Sequence, residues 1–204
     1  MLEHAHLYAI TPDAEPDAVL ELIGAVLRGG ADAVQLRHKT LSRGRLLELA
    51  RAASELVHRA RRVFIVNDHL DIALLSGADG VHLGASDLPV DAARLLVPRG
   101  FLVGASAGTP ESAAAAVAAG ADYLGAGPAF ATTIKPGKAA IGPAGVRAVS
   151  EAVTVPVFAI GGIEGSNVAQ LVAAGVRRAC VIRGLAGAGD PEEAARSIRA
   201  ALVA

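Results

Sequence analysis

The sequence predicts an α/β protein folded as a single (β/α)8 TIM barrel over residues 1–204. Three observations point there: a helix-to-strand junction that repeats, eight short apolar segments with helical patterns between them, and polar residues that follow those segments. The junction runs Gly29-Gly30-Ala31-Asp32-Ala33-Val34, then Ser76-Gly77-Ala78-Asp79-Gly80-Val81, then Ala119-Gly120-Ala121-Asp122-Tyr123-Leu124. A weaker copy is Ala174-Gly175-Val176-Arg177-Arg178-Ala179. Each reads as a helix closed by glycine, a tight turn and a buried strand. Four copies of one junction imply an alternating chain, which calls for a parallel sheet.

In chain order, the strand candidates are 7–10, 33–36, 63–66, 80–83, 101–105, 123–126, 157–160 and 179–182, and in the third of them Phe64 to Val66 are apolar and β-branched or aromatic. Helical patterns cover 17–28, 43–59, 110–119, 143–152, 166–174 and 192–202, with a brief helical link between strands three and four. Pro110 and Pro143 stand where a helix begins and the missing N–H is harmless. A doubly wound open sheet is the runner-up, because strand periodicity does not report closure. Residues 130–142 lack helical periodicity, and a long loop in a compact domain is usually functional or disordered.

The bulk composition narrows the function. Of the 204 residues, 52% are hydrophobic and only 3% aromatic, so Ala, Val, Leu and Ile build the core. No apolar run spans a bilayer and no secretory signal opens the chain, so a cytoplasmic protein without membrane partners is expected. A net charge of −1 argues against nucleic acid. The Arg59, Arg61 and Arg62 cluster reads as a solvated helix end. The lone cysteine, Cys180, lies in an apolar run and reads as buried filler. Oligomeric state leaves no mark, and a homo-oligomer is compatible with the sequence.

In a barrel the reactive face lies at the carboxyl ends of the strands. Those ends carry Thr11; Gln35, Arg37 and Lys39; Asn67 and Asp68; His82 and Asp87; Ser106; Gly127-Pro128; Gly161-Gly162; and Arg183-Gly184. Taken singly, Asp68 and Asp87 read as caps of the helices that follow. Gathered at one mouth they form a site for a hard cation, since Mg2+ is often held by one or two carboxylates plus substrate phosphate oxygens. Arg37 and Lys39, two apart on an extended segment, project to one side and suit a polyphosphate. His38, between them, faces the other way. Thr132, Thr133 and Lys135 on the Gly/Pro-rich loop fold over phosphate oxygens or are merely exposed. Gly161, Gly162, Arg183 and Gly184 follow the last two strands, where barrels commonly hold a phosphate on backbone N–H groups. His82 is either a core histidine or a substrate contact. No Ser-His-Asp or Cys-His arrangement is evident, and no GxGxxG supports a dinucleotide fold.

So assembled, the chain resembles the family of thiamine phosphate synthases and thiazole tautomerases. The likeness covers nearly the whole length. It rests on Leu7-Tyr8-Ala9-Ile10-Thr11, Gln35-Leu36-Arg37-His38-Lys39, Asn67-Asp68, and Gly80 to Gly84 with Asp87-Leu88-Pro89. Further on it rests on Gly127 to Phe130 with Thr132 and Lys135-Pro136-Gly137, then Ala159 to Ile163 with Asn167. The resemblance implies a closed barrel that couples hydroxymethylpyrimidine diphosphate with thiazole phosphate, giving thiamine phosphate and pyrophosphate. It implies Mg2+ on Asp68 and Asp87. Arg37, Lys39, Asn67, Thr132 and Lys135 would grip the diphosphate, with Arg37, Lys39 and Lys135 acting in catalysis. Gln35 and Ser106 would meet the pyrimidine, while Gly161, Gly162 and the Arg183-Gly184 end would hold the thiazole phosphate. It also implies a dissociative mechanism in which pyrophosphate leaves before the thiazole nitrogen attacks.

Four positions depart from the family pattern: Gly108 replaces a histidine, Ala85 a glutamine, Ile134 a threonine and Arg183 a serine. An arginine at 183 offers an added clamp on a phosphate, or a partner for a carboxylate. Two alternatives stand beside the synthase. A tautomerase-like isomerase would use the strand-five histidine for proton transfer, which Gly108 does not provide. A non-catalytic barrel that binds thiamine phosphates is the other.

Overall fold

The computed structural model describes residues 1–132 and 139–204. Eight parallel strands close into one barrel in sequence order, and β1 (Leu7–Ile10) pairs with both β2 (Ala33–Leu36) and β8 (Ala179–Val181). Between them run β3 (Val63–Asn67), β4 (Gly80–Leu83), β5 (Leu102–Ala107), β6 (Tyr123–Ala126) and β7 (Val157–Ile160). The open sheet is thereby set aside. The helices expected from the sequence fall close to their spans: α1 (Pro16–Arg28), α2 (Arg43–Arg59), α5 (Pro110–Ala118), α6 (Gly142–Glu151), the six-residue α7 (Val168–Ala173) and α9 (Pro191–Val203). The short α3 (Leu70–Leu75) is the brief link expected between β3 and β4. Two more short helices, α4 (Val90–Arg94) and α8 (Arg183–Ala186), are additions that the apolar pattern did not reveal. Neither is long enough to show a 3.6-residue repeat.

Alternation along the strands sorts the core into two parts. Leu7, Ala9, Val34, Leu36, Phe64 and Val66 face outward and pack under the helices. Tyr8, Ile10, Ala33, Ile65, Tyr123, Phe158 and Cys180 face the barrel interior. The rings of Tyr8, Tyr123 and Phe158 meet edge to face, with centroids 5.5 to 6.1 Å apart, and plug the barrel. Gly104 makes this possible: a Cβ there would lie 2.1 Å from Cζ of Tyr123. The plug closes the lower barrel and leaves the upper mouth hollow.

The repeated Gly-Ala-Asp junction explains the opposite end. Asp32 accepts hydrogen bonds from the N–H groups of His6 and Leu7 at 2.9 and 3.1 Å. Asp79 accepts from Phe64 N–H at 2.7 Å, and Asp122 from Val103 N–H at 2.8 Å. Each carboxylate thus satisfies a backbone donor at the start of the neighbouring preceding strand, which would otherwise lack a partner. The repeat is a device for anchoring the starts of strands, and it uses up these aspartates at the amino-terminal end.

Candidate active site

At the carboxyl ends of the strands lies a cavity of about 470 Å3. Gln35, Arg37, Lys39, Asn67, Asp68 and Asp87 line one side, while Ser106, Thr132, Gly161, Gly162 and Arg183 line the rest. Eleven of the residues expected at a site therefore share one hollow. Gly184 does not: it sits in α8 against the loop after β7, where a Cβ would meet the Ile163 carbonyl at 2.6 Å. Its missing side chain serves packing. Lys135, with Thr133 and Ile134, lies outside the described residues.

Asp68 is not a helix cap. It follows β3 in the left-handed region, with φ of +61°, a conformation that aspartate tolerates better than most residues. Its N–H donates to the His82 carbonyl at 2.8 Å, and the N-cap of α3 is His69. This backbone kink aims the carboxylate at the mouth, where it pairs with the Lys39 ammonium. Asp87 is not a cap either, since α4 begins after Pro89. Asp87 Oδ2 accepts the Gly84 N–H at 2.7 Å and closes a tight loop after β4. Both carboxylates face the cavity and neither is spent on a helix terminus.

The β2 end is held from beneath. The Thr11 hydroxyl accepts the Arg37 N–H at 3.0 Å and donates to the Arg37 carbonyl at 3.2 Å. Asp13 binds the Arg37 guanidinium at 2.9 Å and also accepts the Lys39 N–H. Burial works to raise the Asp13 carboxyl pKa, yet the bond from Lys39 N–H and the guanidinium outweigh it and leave the group below its ordinary value. Asp13 was missed in the sequence because a residue three past the end of β1 carries no periodic signal. His38 is buried, with Nε2 2.8 Å from the Ala14 carbonyl, and lies off the cavity as expected.

Across the floor runs a line of polar atoms, buried from Gln35 to His82 and ending at the exposed Ser106. Gln35 Nε2 donates to the Tyr8 hydroxyl at 2.8 Å, and Tyr8 meets the Tyr123 hydroxyl at 3.1 Å. Tyr123 meets His82 Nδ1 at 3.3 Å, and His82 Nε2 meets Ser106 Oγ at 3.1 Å. His82 is therefore both interior and in touch with a cavity residue. The chain has two tyrosines, and inward parity on β1 and β6 was the one signal that both line the interior. Cys180 also reaches the floor, but burial pushes its thiol pKa well up and keeps it protonated.

At the far side, Gly161 and Gly162 have φ of +101° and +64°. A Cβ on Gly161 would lie 2.7 Å from Pro128 Cβ, and one on Gly162 would lie 2.4 Å from the Ala131 carbonyl. Ala129 N–H donates to the Ile160 carbonyl at 2.8 Å and Phe130 N–H to Gly161 at 3.0 Å, tying the loop after β6 to β7. Asn167 Nδ2 donates to the Gly162 carbonyl at 2.8 Å and fixes the turn. Glu164, not singled out in the sequence, also lines the mouth. Arg183 opens α8 at this rim, its side chain free of any ion pair among the described residues. Gly108 leaves space: a Cβ would find its nearest neighbour, the Gly127 carbonyl, at 3.9 Å.

Among the described residues no helix is long and apolar enough to cross a membrane. A sequence model of thiamine monophosphate synthase matches residues 7–185. The thiamine-phosphate synthase of Methanoculleus marisnigri is 50% identical over 175 residues, covering 84% of this chain and 82% of that protein. That of Moorella thermoacetica is 48% identical over 181 residues, covering 88% and 86%. The solved structure of thiamine phosphate pyrophosphorylase from Pyrococcus furiosus superposes with a TM-score of 0.88 at 35% identity, covering 98% of this chain and 96% of that one. With the closed barrel and the shared cavity, these matches establish that the chain belongs to the thiamine monophosphate synthase family, transferases that make thiamine phosphate.

Proposed function

We propose that this mouth joins a hydroxymethylpyrimidine diphosphate to a thiazole phosphate with the help of Mg2+ on Asp68 and Asp87. One observation carries the reading. Two carboxylates that cap no helix face the same hollow as Arg37, Lys39 and Arg183. Among the described residues no group of three or more acidic, histidine or cysteine side chains is placed to cage a metal. A two-carboxylate donor set fits Mg2+ that completes its shell with substrate phosphate oxygens and water. When bound, Mg2+ supplies neutralisation of the charge that grows on the departing diphosphate.

The protein groups divide the remaining work. Arg37 and Lys39 grip the diphosphate oxygens, with Asn67 on the same wall and Thr132 facing them across the cavity, and Lys135, outside the described residues, is assigned to the same anion. Gln35 and Ser106 orient the pyrimidine ring over the aromatic plug. Gly161, Gly162 and Arg183 hold the phosphate of the thiazole on the opposite side. The bond between the pyrimidine methylene and the diphosphate oxygen breaks, its electron pair leaving with pyrophosphate. The thiazole nitrogen then donates its lone pair to the methylene carbon. No proton is removed from the nucleophile, so the site needs charge neutralisation and alignment more than a strong base. We place the enzyme in the cytoplasm, in keeping with its one buried, protonated cysteine.

The test mixes purified protein with both substrates and follows thiamine phosphate with and without Mg2+. Turnover should require the metal, and Asp68→Asn or Asp87→Asn should lower it by about two orders of magnitude or more while the fold persists. Metal-independent turnover, or full activity in both variants, would overturn the reading.

A further inference from the structure

We infer that Tyr123 is a positioning residue that fixes His82 as its Nε2–H tautomer and so makes the Ser106 hydroxyl a donor into the cavity. The argument follows the protons along the floor. Gln35 presents an amide nitrogen to Tyr8 at 2.8 Å, and that nitrogen only donates. The Tyr8 oxygen therefore accepts from Gln35, and its own proton goes to its other neighbour, the Tyr123 oxygen at 3.1 Å. Tyr123, having accepted, sends its proton on to His82 Nδ1 at 3.3 Å. An Nδ1 that accepts leaves the ring proton of a neutral imidazole on Nε2. That proton is donated to Ser106 Oγ at 3.1 Å, and the serine proton is left to face the cavity.

Every link points the same way, from Gln35 toward Ser106. Both tyrosines are fully buried, which raises their pKa and keeps each one a phenol able to donate. Burial of Gln35, Tyr8, Tyr123 and His82 also keeps bulk water from scrambling the direction of these links, and only Ser106 at the end of the line is exposed. The outcome is a polarised wall. Gln35 Nε2 is committed to Tyr8, so its Oε1 remains an acceptor, while Ser106 offers a donor. Such a pair suits an aromatic ring that carries an amine beside a ring nitrogen, the class to which the pyrimidine of the proposed reaction belongs. The ring assignment rests on that reaction; the tautomer does not.

The experiment observes the side-chain nitrogens of 15N-histidine-labelled protein without substrate, at one pH, and compares Tyr123→Phe and Tyr8→Phe. The wild type should show His82 protonated at Nε2 and bare at Nδ1. Tyr123→Phe keeps the ring that packs on Tyr8 and Phe158 but removes the donor, so the tautomer should become mixed or reverse. Tyr8→Phe leaves Tyr123 beside His82 and should keep the wild-type signature. In steady-state assays Tyr123→Phe should raise KM for the pyrimidine diphosphate on the order of tenfold and leave that for the thiazole phosphate within about twofold. A wild-type ring protonated at Nδ1, or an unchanged signature in Tyr123→Phe, overturns the inference. Failure of the wild type to form thiamine phosphate overturns the proposed reaction and leaves the tautomer assignment standing.

Discussion

Lys39 and Asp68, 29 residues apart, meet in an ion pair at the rim of the cavity. They come from the ends of adjacent strands, and the left-handed turn at Asp68 is what brings the carboxylate round to the ammonium. Each neutralises the other while the site holds no anion. In the proposed reaction, phosphate oxygens would replace Asp68 as the partner of Lys39, and Asp68 would turn to the metal.

Lys39→Met removes the cation and keeps much of the stem. The expected result is a rise of about tenfold in KM for the pyrimidine diphosphate, because the lysine is half exposed and its charge is partly screened. KM for the thiazole phosphate should stay within about twofold, since Gly161, Gly162 and Arg183, the groups proposed to hold it, lie across the mouth. Steady-state kinetics with each substrate varied in turn makes the comparison. An equal effect on both would place Lys39 between the two anions.

Asp13 acts one step back from the substrate. It steadies the Arg37 guanidinium and the backbone of Lys39, so Asp13→Asn should raise KM for the diphosphate by about three- to tenfold with kcat little changed. The sign of its pH effect follows from its lowered pKa. A depressed carboxyl contributes stability above the ordinary carboxylate value and loses it as pH falls through the folded value. The gap in melting temperature between wild type and Asp13→Asn should therefore be open at neutral pH and close below about pH 4. Melts across pH 3 to 7 check this, and a gap that widens on acidification would contradict it.

Much of this is legible in the amino-acid sequence. Strands such as Phe64-Ile65-Val66 are buried on both faces and so read as plain apolar runs, and the polar residues that follow them stand out. Closure of the barrel was less visible, because pairing of β1 with β8 depends on the summed tilt of all the strands. The line from Gln35 to Ser106 was invisible for a related reason. Inward parity can be read for Tyr8 and Tyr123, but their contact joins residues 115 apart and exists only once the barrel closes. The departures at Gly108 and Arg183 stood out in sequence, yet the open space beside Gly108 is a property of its neighbours.

That space yields a contrast between glycines. Gly161 has φ of +101° and no room for a Cβ, whereas Gly108 has room and no positive φ. Gly161→Ala should destabilise the protein by about 2–4 kcal/mol, through backbone strain and collision with Pro128. Gly108→Ala should be neutral or stabilise by up to about 1 kcal/mol by narrowing the unfolded ensemble. Denaturant unfolding of both variants, with the midpoint and slope compared, measures the difference. Equal losses at the two positions would mean that the β6–β7 loop contact is not what requires glycine at 161.

Asp32 and Asp68 set the last prediction, because the same residue type serves opposite ends of the barrel. Asp32 is nearly buried beneath the sheet, bonded to two backbone N–H groups, with Arg199 at 3.2 Å and Arg62 at 3.8 Å. Asp32→Ala strands those donors and should destabilise the fold by about 2–4 kcal/mol. Because it lies at the end of the strands away from the mouth, kcat of the folded fraction should be unchanged. Asp68→Asn should do the reverse, leaving the melting temperature within a few degrees and removing most turnover. Melting curves beside single-turnover rates separate the two. A loss of kcat in folded Asp32→Ala would mean that the barrel transmits strain from its base to its mouth, and the division between a structural end and a chemical end would fail.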